Sequence, residues 1–296
     1  MGRAGLGRFV NPDSAAGAPE ADARPGAGPR AKPGEKGSLV VVGTGIRVFG
    51  QLTVEAIAWM SRADRLLYVV GDPLAEEAVR SLNPGGAESL LRFYAVGKDR
   101  SQTYGQMVER ILSWVRVGAT TCAAFYGHPG VFAFPSHESI RRARLEGFSA
   151  RMLPAVSAED CLFADLGVDP ADHGCQSYEA TEFLLHGRTL DPTAAAVIWQ
   201  IGIVGDTSYQ SSGYDLSALP LLVARLGRFY PPGHSCVVYE AAVNPLAEPS
   251  IRPTTVAGLA GARLSAMSTL YIPPAFRPTR DPWVESRLFP GARASS

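Results

Sequence analysis

The chain has 296 residues, with 28 basic and 28 acidic side chains and an apolar share of 46%. That length suits two ordinary domains or one large one, and the zero formal net charge gives no electrostatic ground for binding nucleic acid or an anionic membrane. No apolar run reaches bilayer-spanning length and the first residues carry no signal-peptide core, so a cytoplasmic protein with no membrane attachment is expected.

Residues 1–36 are rich in Gly, Ala, Pro and charge and lack periodicity, which reads as a disordered leader. Order begins with the β-branched run from Ser38 to Val42, which ends on Gly43-Thr44-Gly45. That is a buried first strand with a turn facing a ligand. The third Gly of a dinucleotide fingerprint is out of place and the acidic residue after a second strand is absent, which argues against a nicotinamide site. Thr53 caps a helix through Ala63 with Val54, Ile57 and Ala58 on one face. Residues 65–70 form a second strand, and Pro73 opens the next helix. Residues 92–104 read as irregular and carry Tyr94, Lys98, Arg100 and Tyr104; the helix after them has Met107, Ile111 and Val115 as its apolar stripe.

A third strand over 120–126 runs into Gly127-His128-Pro129-Gly130, and a helix resumes near Ser136 with a basic outer face at Arg141, Arg142 and Arg144. A buried strand that breaks on glycines before a helix is where α/β folds place ligands. A short strand over 148–153 leads to Pro154-Ala155-Val156-Ser157, where Ser157 is an N-cap and Asp160 completes a capping-box pattern. Such a helix start carries orphan N–H groups that suit a ligand's polar edge. The second half repeats the alternation, with strands at 175–179, 195–202, 236–241 and 269–272 and helices at 181–186, 216–229 and 255–260. Pro273-Pro274 closes the ordered part. The fold class is therefore α/β, with one α/β domain over 37–154, a second over 155–277, and a loosely attached tail over 278–296. The four cysteines (Cys122, Cys161, Cys175, Cys236) have no Cys-x-x-Cys spacing and apolar neighbours, so they read as reduced core thiols. His128 has no Cys or acidic cluster around it, so no metal site is expected.

Taken singly, each tyrosine is a half-buried core residue, Arg100 a surface ion-pair partner and Ser157 a cap. In matched order they resemble something more specific. Val42-Gly43-Thr44-Gly45, Tyr126-Gly127-His128-Pro129-Gly130-Val131-Phe132, Pro154-Ala155-Val156-Ser157-Ala158 and Ser268-Thr269-Leu270 resemble the ordered motifs of the tetrapyrrole-methylase superfamily, the class III S-adenosylmethionine methyltransferases. Over 37–274 the chain is more closely similar to the borosin peptide backbone α-N-methyltransferases, including the strings from Gly97 to Met107 and from Ser157 to Leu166. The resemblance implies two α/β domains with S-adenosylmethionine in the cleft between them. It implies an intertwined homodimer, extended to a heterotetramer when two precursor peptides bind. It implies cofactor contacts at Tyr126, His128, Val131, Phe132, Ser157, Ala158, Gln200, Ala241, Ser268 and Thr269, and it matches Tyr94, Arg100, Tyr104 and Tyr126 to the family's catalytic set. Two departures matter. Ile46-Arg47-Val48-Phe49 stands where relatives acting on porphyrin-like rings carry Pro-Gly-Asp, which argues against a tetrapyrrole substrate. The short polar end at Ser296 resembles the split form, whose precursor peptide is a separate chain.

An amide nitrogen is a poor nucleophile because its lone pair is delocalised into the carbonyl. Methylating it requires loosening the N–H proton and stabilising an imidate-like oxygen. A tyrosinate beside Arg100 fits the first task, since an adjacent guanidinium favours the charged phenolate, and preorganised hydroxyls fit the second. Tyr94 and Tyr104 are the candidates for the base, with Tyr126 at the cofactor side. The alternatives are a methyltransferase of this fold acting on a corrinoid or other small molecule, which the Tyr/Arg set argues against, and a catalytically silent peptide-binding module, which the intact cofactor loops argue against.

Overall fold

The computed structural model describes Gly34 and residues 36–290 apart from 212 and 245. The expected leader over 1–36, apart from Gly34 and Lys36, and the last part of the tail lie outside the described residues. The first half runs β1 (Ser38–Gly43), α1 (Val48–Gln51), α2 (Val54–Arg62), β2 (Arg65–Val69), α3 (Pro73–Leu82), β3 (Ala87–Ser89), α4 (Arg100–Arg116), β4 (Thr120–Phe125), α5 (Phe134–Leu145) and β5 (Ser149–Met152). Its five strands form one parallel sheet in the order β3-β2-β4-β1-β5.

The apolar run of β1 follows from burial on both faces. Leu39 and Val41 pack with α4 residues Met107, Ile111 and Val115, whereas Val40 and Val42 pack with Ala56, Met60 and Val79 of α2 and α3. Successive side chains of a strand point to opposite faces, so a sheet covered twice needs an unbroken apolar strand.

The second half continues with α6 (Ala158–Leu166), α7 (Pro170–His173), β6 (Cys175–Glu179), α8 (Ala180–Leu185), β7 (Ala195–Trp199), α9 (Leu219–Leu226), β8 (Ser235–Glu240), β9 (Ser250–Thr255), β10 (Thr269–Ile272) and α10 (Pro282–Leu288). Its sheet order is β6-β7-β10-β8-β9; β6 and β7 are parallel and the other pairs antiparallel. One face carries α8 and α9 on Ile198, Val238 and Leu270. The other packs Val197, Trp199 and Tyr239 against Leu162 of α6, and also against Ile46, Tyr126 and Phe132 from the first half. The two sheets are thus joined through side chains that leave the ends of β1 and β4.

Four expectations from the sequence are corrected. On α2 the sheet-facing residues are Ala56 and Met60, while Val54 is 84% and Ile57 36% exposed. Residues 100–104 are the first turns of α4, capped by Asp99, whose side chain accepts from Ser101 N–H at 2.8 Å. A third short strand, β3, lies between the two expected ones and makes the strand at Thr120 the fourth. Finally, 250–255 is the edge strand β9 and only a short 3₁₀ turn, Gly258–Gly261, stands where a helix over 255–260 was expected. Pro253 and an exposed Ile251 hide the strand pattern, and both are tolerated because the strand is at the sheet edge.

All four cysteines are free, three of them buried. No helix among the described residues is long and apolar enough to cross a membrane.

Candidate functional site

The turns that end β1 and β4 are clamped to each other. Gly45 N–H donates to the Gly127 carbonyl at 3.3 Å and Gly127 N–H returns to the Gly45 carbonyl at 3.0 Å. Both glycines have φ of +71°, a conformation that costs little without a Cβ. Gly43 is glycine for a different reason. A Cβ there would overlap the Gly127 carbonyl oxygen and come to 2.6 Å from Ala155 Cβ and 2.7 Å from Pro129 Cδ. Ile46 and Arg47, the residues in place of Pro-Gly, both donate their N–H groups to Gln51 Oε1, at 2.8 and 2.9 Å.

This clamp forms one wall of a cleft of about 620 Å³, part of it open to solvent. Ile46, Tyr126, Gly127, His128, Val131 and Phe132 line it from the first half; Ser157, Ala158, Trp199, Gln200, Ala266, Met267 and Thr269 line it from the second. Phe132 and Trp199 make an aromatic pair at 5.5 Å, and the indole N–H of Trp199 is held by Ser177 Oγ at 2.7 Å. Phe132 and Gln200 are the non-glycine residues with positive φ among the described residues, at 51° and 64°. Strain at two positions facing one cleft is typical of ligand sites. Gln200 Oε1 and the Tyr126 hydroxyl are buried with no partner within the protein. Buried polar atoms are almost always paired, so these two mark places where a ligand's polar groups fit.

At the N-terminus of α6 the expected capping box is present. Ser157 N–H and Oγ donate to Asp160 Oδ2 at 2.6 and 2.7 Å, and Asp160 N–H donates to Ser157 Oγ at 3.2 Å. His128 Nδ1 accepts from Gly130 N–H at 2.9 Å. Burial holds its imidazole below the usual histidine range, although Asp160 acts in the opposite direction, so a neutral ring faces the cleft at neutral pH.

Of the expected cofactor residues, the cleft brings together Tyr126, His128, Val131, Phe132, Ser157, Ala158, Gln200 and Thr269. Ala241 and Ser268 are not among its lining residues. Ala241 packs in the apolar cluster with Trp199 and Tyr239. Ser268 is fully buried; its hydroxyl donates to Glu240 Oε1 at 2.5 Å and accepts from Ser265 N–H at 2.9 Å. Glu240 Oε1 also accepts from Ser265 Oγ and Arg252 Nη2, both at 2.9 Å. Glu240 therefore pins both ends of the 265–268 turn, whose Ala266 and Met267 form a cleft wall. Charge-assisted bonds of this kind contribute about 1.5–3 kcal/mol each. Glu240→Gln is expected to weaken binding of a ligand in the cleft by about tenfold, with the fold retained; calorimetric titration checks it, and wild-type affinity would remove this role from Glu240.

The sequence pattern missed Ile46, Trp199, Ala266 and Met267 as lining residues. Only Trp199, immediately before Gln200 at the end of an apolar strand, carried a local signal.

The Tyr/Arg set lies beside this cleft. Tyr94 follows a 3₁₀ turn (Leu91–Phe93), and Arg100 and Tyr104 are one turn apart on α4. Tyr104 is 2% exposed and Arg100 7%. Arg100 Nη1 donates to the Asp206 carbonyl at 2.9 Å, and its guanidinium lies over the Tyr214 ring at 5.3 Å. Tyr94 packs on the Tyr209 ring at 4.9 Å. Tyr126 belongs to both the cluster around Tyr104 and the cluster around Trp199, so it connects the Tyr/Arg set to the cleft.

One electrostatic expectation is corrected. Burial pushes the Tyr94 phenol well above the ordinary tyrosine value, with Tyr104 and Tyr209 adding to the rise and Arg100 only partly opposing it. Burial likewise pushes Tyr126 well up. Desolvation exceeds the attraction of one guanidinium, so both rings are neutral hydroxyls at neutral pH in the ligand-free protein. The hydrogen bond between Tyr94 and Tyr104 also favours the protonated form of Tyr94.

Among the described residues no group of three or more His, Cys, Asp or Glu side chains comes together as a metal site. Residues 38–254 match the family model for Tetrapyrrole (Corrin/Porphyrin) Methylases. The chain is 43% identical over 245 residues to a methyltransferase/ribosomally synthesized cyclic peptide dendrothelin A precursor of Dendrothele bispora, covering 81% of this chain and 58% of that protein. It is 42% identical over 245 residues to the corresponding omphalotin A precursor of Omphalotus olearius, with the same coverage. It is 40% identical over 262 residues to a methyltransferase/ribosomally synthesized type I borosin cyclic peptide precursor of Gymnopilus junonius, covering 87% of this chain and 62% of that protein. The chain thus spans about three-fifths of the length of these relatives. Among solved structures it is similar to the uroporphyrin-III-C-methyltransferase of Thermus thermophilus, with a TM-score of 0.58 and 19% identity over 81% of this chain and 93% of that one. That likeness concerns the fold.

Proposed function

Because the chain belongs to the tetrapyrrole (corrin/porphyrin) methylase family, we propose that it is an S-adenosylmethionine-dependent methyltransferase that N-methylates backbone amides of a ribosomally made precursor peptide. The observation that carries the peptide reading is the buried Tyr94–Arg100–Tyr104 group placed next to the cleft and connected to it by Tyr126. The names of the relatives, each of which joins a methyltransferase to a peptide precursor, support it.

The cleft fits such a donor. Gln200 Oε1 and the Tyr126 hydroxyl offer two unpartnered polar atoms, Phe132, Val131 and Trp199 offer an apolar surface, and Ser157 and Ala158 present the N–H end of α6. S-adenosylmethionine, when bound, supplies an electrophilic methyl group on a cationic sulfonium. The residues of this chain do the rest. Tyr104, as its phenolate, takes the proton of the substrate amide and becomes the neutral phenol. Arg100 favours that phenolate and offsets the negative charge that passes to the amide. The neutral hydroxyls of Tyr94 and Tyr126 are donors for the amide oxygen as it becomes imidate-like. Ile46 in place of the Pro-Gly-Asp segment gives the cleft an apolar edge, which disfavours a carboxylated porphyrin-like ring.

The reading includes a homodimer and a peptide presented by a separate chain, two copies of each then forming a heterotetramer. The test incubates the protein with S-adenosylmethionine and an added peptide carrying an apolar segment. The expected product gains one methyl mass per modified residue, located on backbone nitrogen by fragmentation. Methyl groups on side chains alone, or turnover of a corrinoid and not of peptides, would overturn the proposal.

A further inference from the structure

Arg100 occupies an electrostatically awkward place. It is the first residue of α4, at the positive end of the helix dipole, and only 7% exposed. A cation is disfavoured there, and burial adds a desolvation cost. Its stability at that position must come from elsewhere in the fold, and the structure shows where. A segment of the second half, 206–210, runs antiparallel to 97–100 of the first. Gly97 N–H donates to the Tyr209 carbonyl at 2.8 Å, Tyr209 N–H to the Lys98 carbonyl at 3.0 Å, and Arg100 N–H to the Thr207 carbonyl at 3.0 Å. Asp99 and Ser208 form a bridge between them. Asp206 turns its carboxylate back onto the N–H and hydroxyl of Ser208, both at 2.7 Å, and presents its carbonyl to Arg100 Nη1. The Tyr209 ring covers Tyr94, and the Tyr214 ring, whose hydroxyl accepts from Gln210 N–H at 3.3 Å, lies against the guanidinium.

We infer that 206–210 is a strap that sets the geometry of the Tyr94–Arg100–Tyr104 group across the two halves, with Tyr209 as a positioning residue that acts through Tyr94. The inference rests on the proposed amide methylation and assigns to that reaction a residue on the opposite half of the molecule. The ring of Tyr209 excludes water from Tyr94 and fixes the direction of the Tyr94 hydroxyl toward Tyr104. The backbone pairing holds Arg100 at the start of α4 with its guanidinium inward. The groups that face Tyr94 are Tyr104 and Arg100 of α4 and Tyr209 of the strap.

The experiment compares Tyr209→Ala and Tyr209→Phe. In Tyr209→Ala the kcat for peptide methylation is expected to fall at least about tenfold, while donor affinity stays within about twofold. Tyr209→Phe keeps the ring and is expected to hold kcat within about twofold. Removing the ring hydrates Tyr94 and relieves the burial that favours its neutral form, so the alkaline part of the kcat–pH profile is expected to move to lower pH further in Tyr209→Ala than in Tyr209→Phe. A Tyr209→Ala enzyme with wild-type kcat and pH profile would overturn the inference, as would equal losses in both variants. Loss of donor affinity together with kcat would reduce Tyr209 to a purely structural residue and overturn it as well. Amide hydrogen exchange tests the strap independently of turnover. In Tyr209→Ala the amides of Gly97 and Arg100 are expected to exchange faster, and unchanged exchange would overturn the strap. If the wild type methylates no peptide yet exchange responds as expected, the reaction assignment fails while the strap stands.

Discussion

Arg100→Ala is expected to slow peptide methylation by ~10²–10³-fold while leaving S-adenosylmethionine affinity near that of the wild type. Arg100 does not line the cleft, so donor binding has no direct reason to change. The guanidinium is instead part of the buried Tyr94–Tyr104 group, where negative charge must develop if an amide proton is to leave. In a site from which water is excluded, removing one fixed cation costs far more than at the surface. Arg100→Lys is expected to recover little of the rate, because a compact ammonium cannot reproduce the fork that both bonds the Asp206 carbonyl and stands over the Tyr214 ring. Tyr104→Phe is expected to lose rate by a similar factor with packing intact, since the ring is 2% exposed and only its oxygen changes. Single-turnover kinetics with the peptide, followed by mass, give the rates. Both variants turning over at the wild-type rate would end the assignment of the Tyr/Arg group and leave the fold untouched.

Gly43→Ala is expected to damage the cleft from behind. The added methyl group meets the Gly127 carbonyl, Ala155 and Pro129 at once, and the first of these is backbone already tied to Gly45. None of the three is the mobile end of a long side chain, so relief requires the clamp between the β1 and β4 turns to open. Overpacking of this kind costs about 1–3 kcal/mol, which lowers Tm by roughly 2–12 °C for a chain of this size. Donor affinity should fall by more than about tenfold, because Gly127 and His128 move with the displaced turn. Gly105→Ala is the contrasting variant. A Cβ there has nothing within 4 Å and the position is inside α4, so Ala should stabilise the helix by up to about 1 kcal/mol. A thermal melt gives both signs in one experiment. Equal Tm values for Gly43→Ala and wild type would show that the clamp yields freely.

Local chemistry made much of this protein legible in its sequence. The unbroken apolar run of β1 required a sheet covered on both faces, and the capping pattern of Ser157 and Asp160 reappears bond for bond at the start of α6. The glycine turns after β1 and β4 stand at the cleft because a Cβ is excluded at Gly43 and a left-handed backbone is required at Gly45 and Gly127. The caps and left-handed turns act within a few residues and a linear pattern carries them, whereas the exclusion at Gly43 comes from Gly127, Pro129 and Ala155. Edge strand β9 escaped notice because Pro253 and an exposed Ile251 remove the alternation that marks a strand. The face of α2 was misjudged because Ala56 and Met60 are the residues turned to the sheet while the apolar Val54 and Ile57 are exposed. The neutrality of Tyr94 and Tyr126 depends on desolvation by residues from several elements, which outweighs the one arginine visible nearby in sequence. Ser268 and Ala241 are not among the residues that line the cleft, since a motif fixes the neighbourhood of a residue and not the direction of its side chain. The strap lay furthest from view. Arg100 and Asp206 are 106 residues apart, and only the packing of the second sheet against the ends of β1 and β4 brings them within hydrogen-bond distance. The sequence determined by itself which turns and caps could form a ligand site. The tertiary structure decided which buried oxygen keeps its proton and what holds the cation in place, because both depend on water exclusion by distant segments.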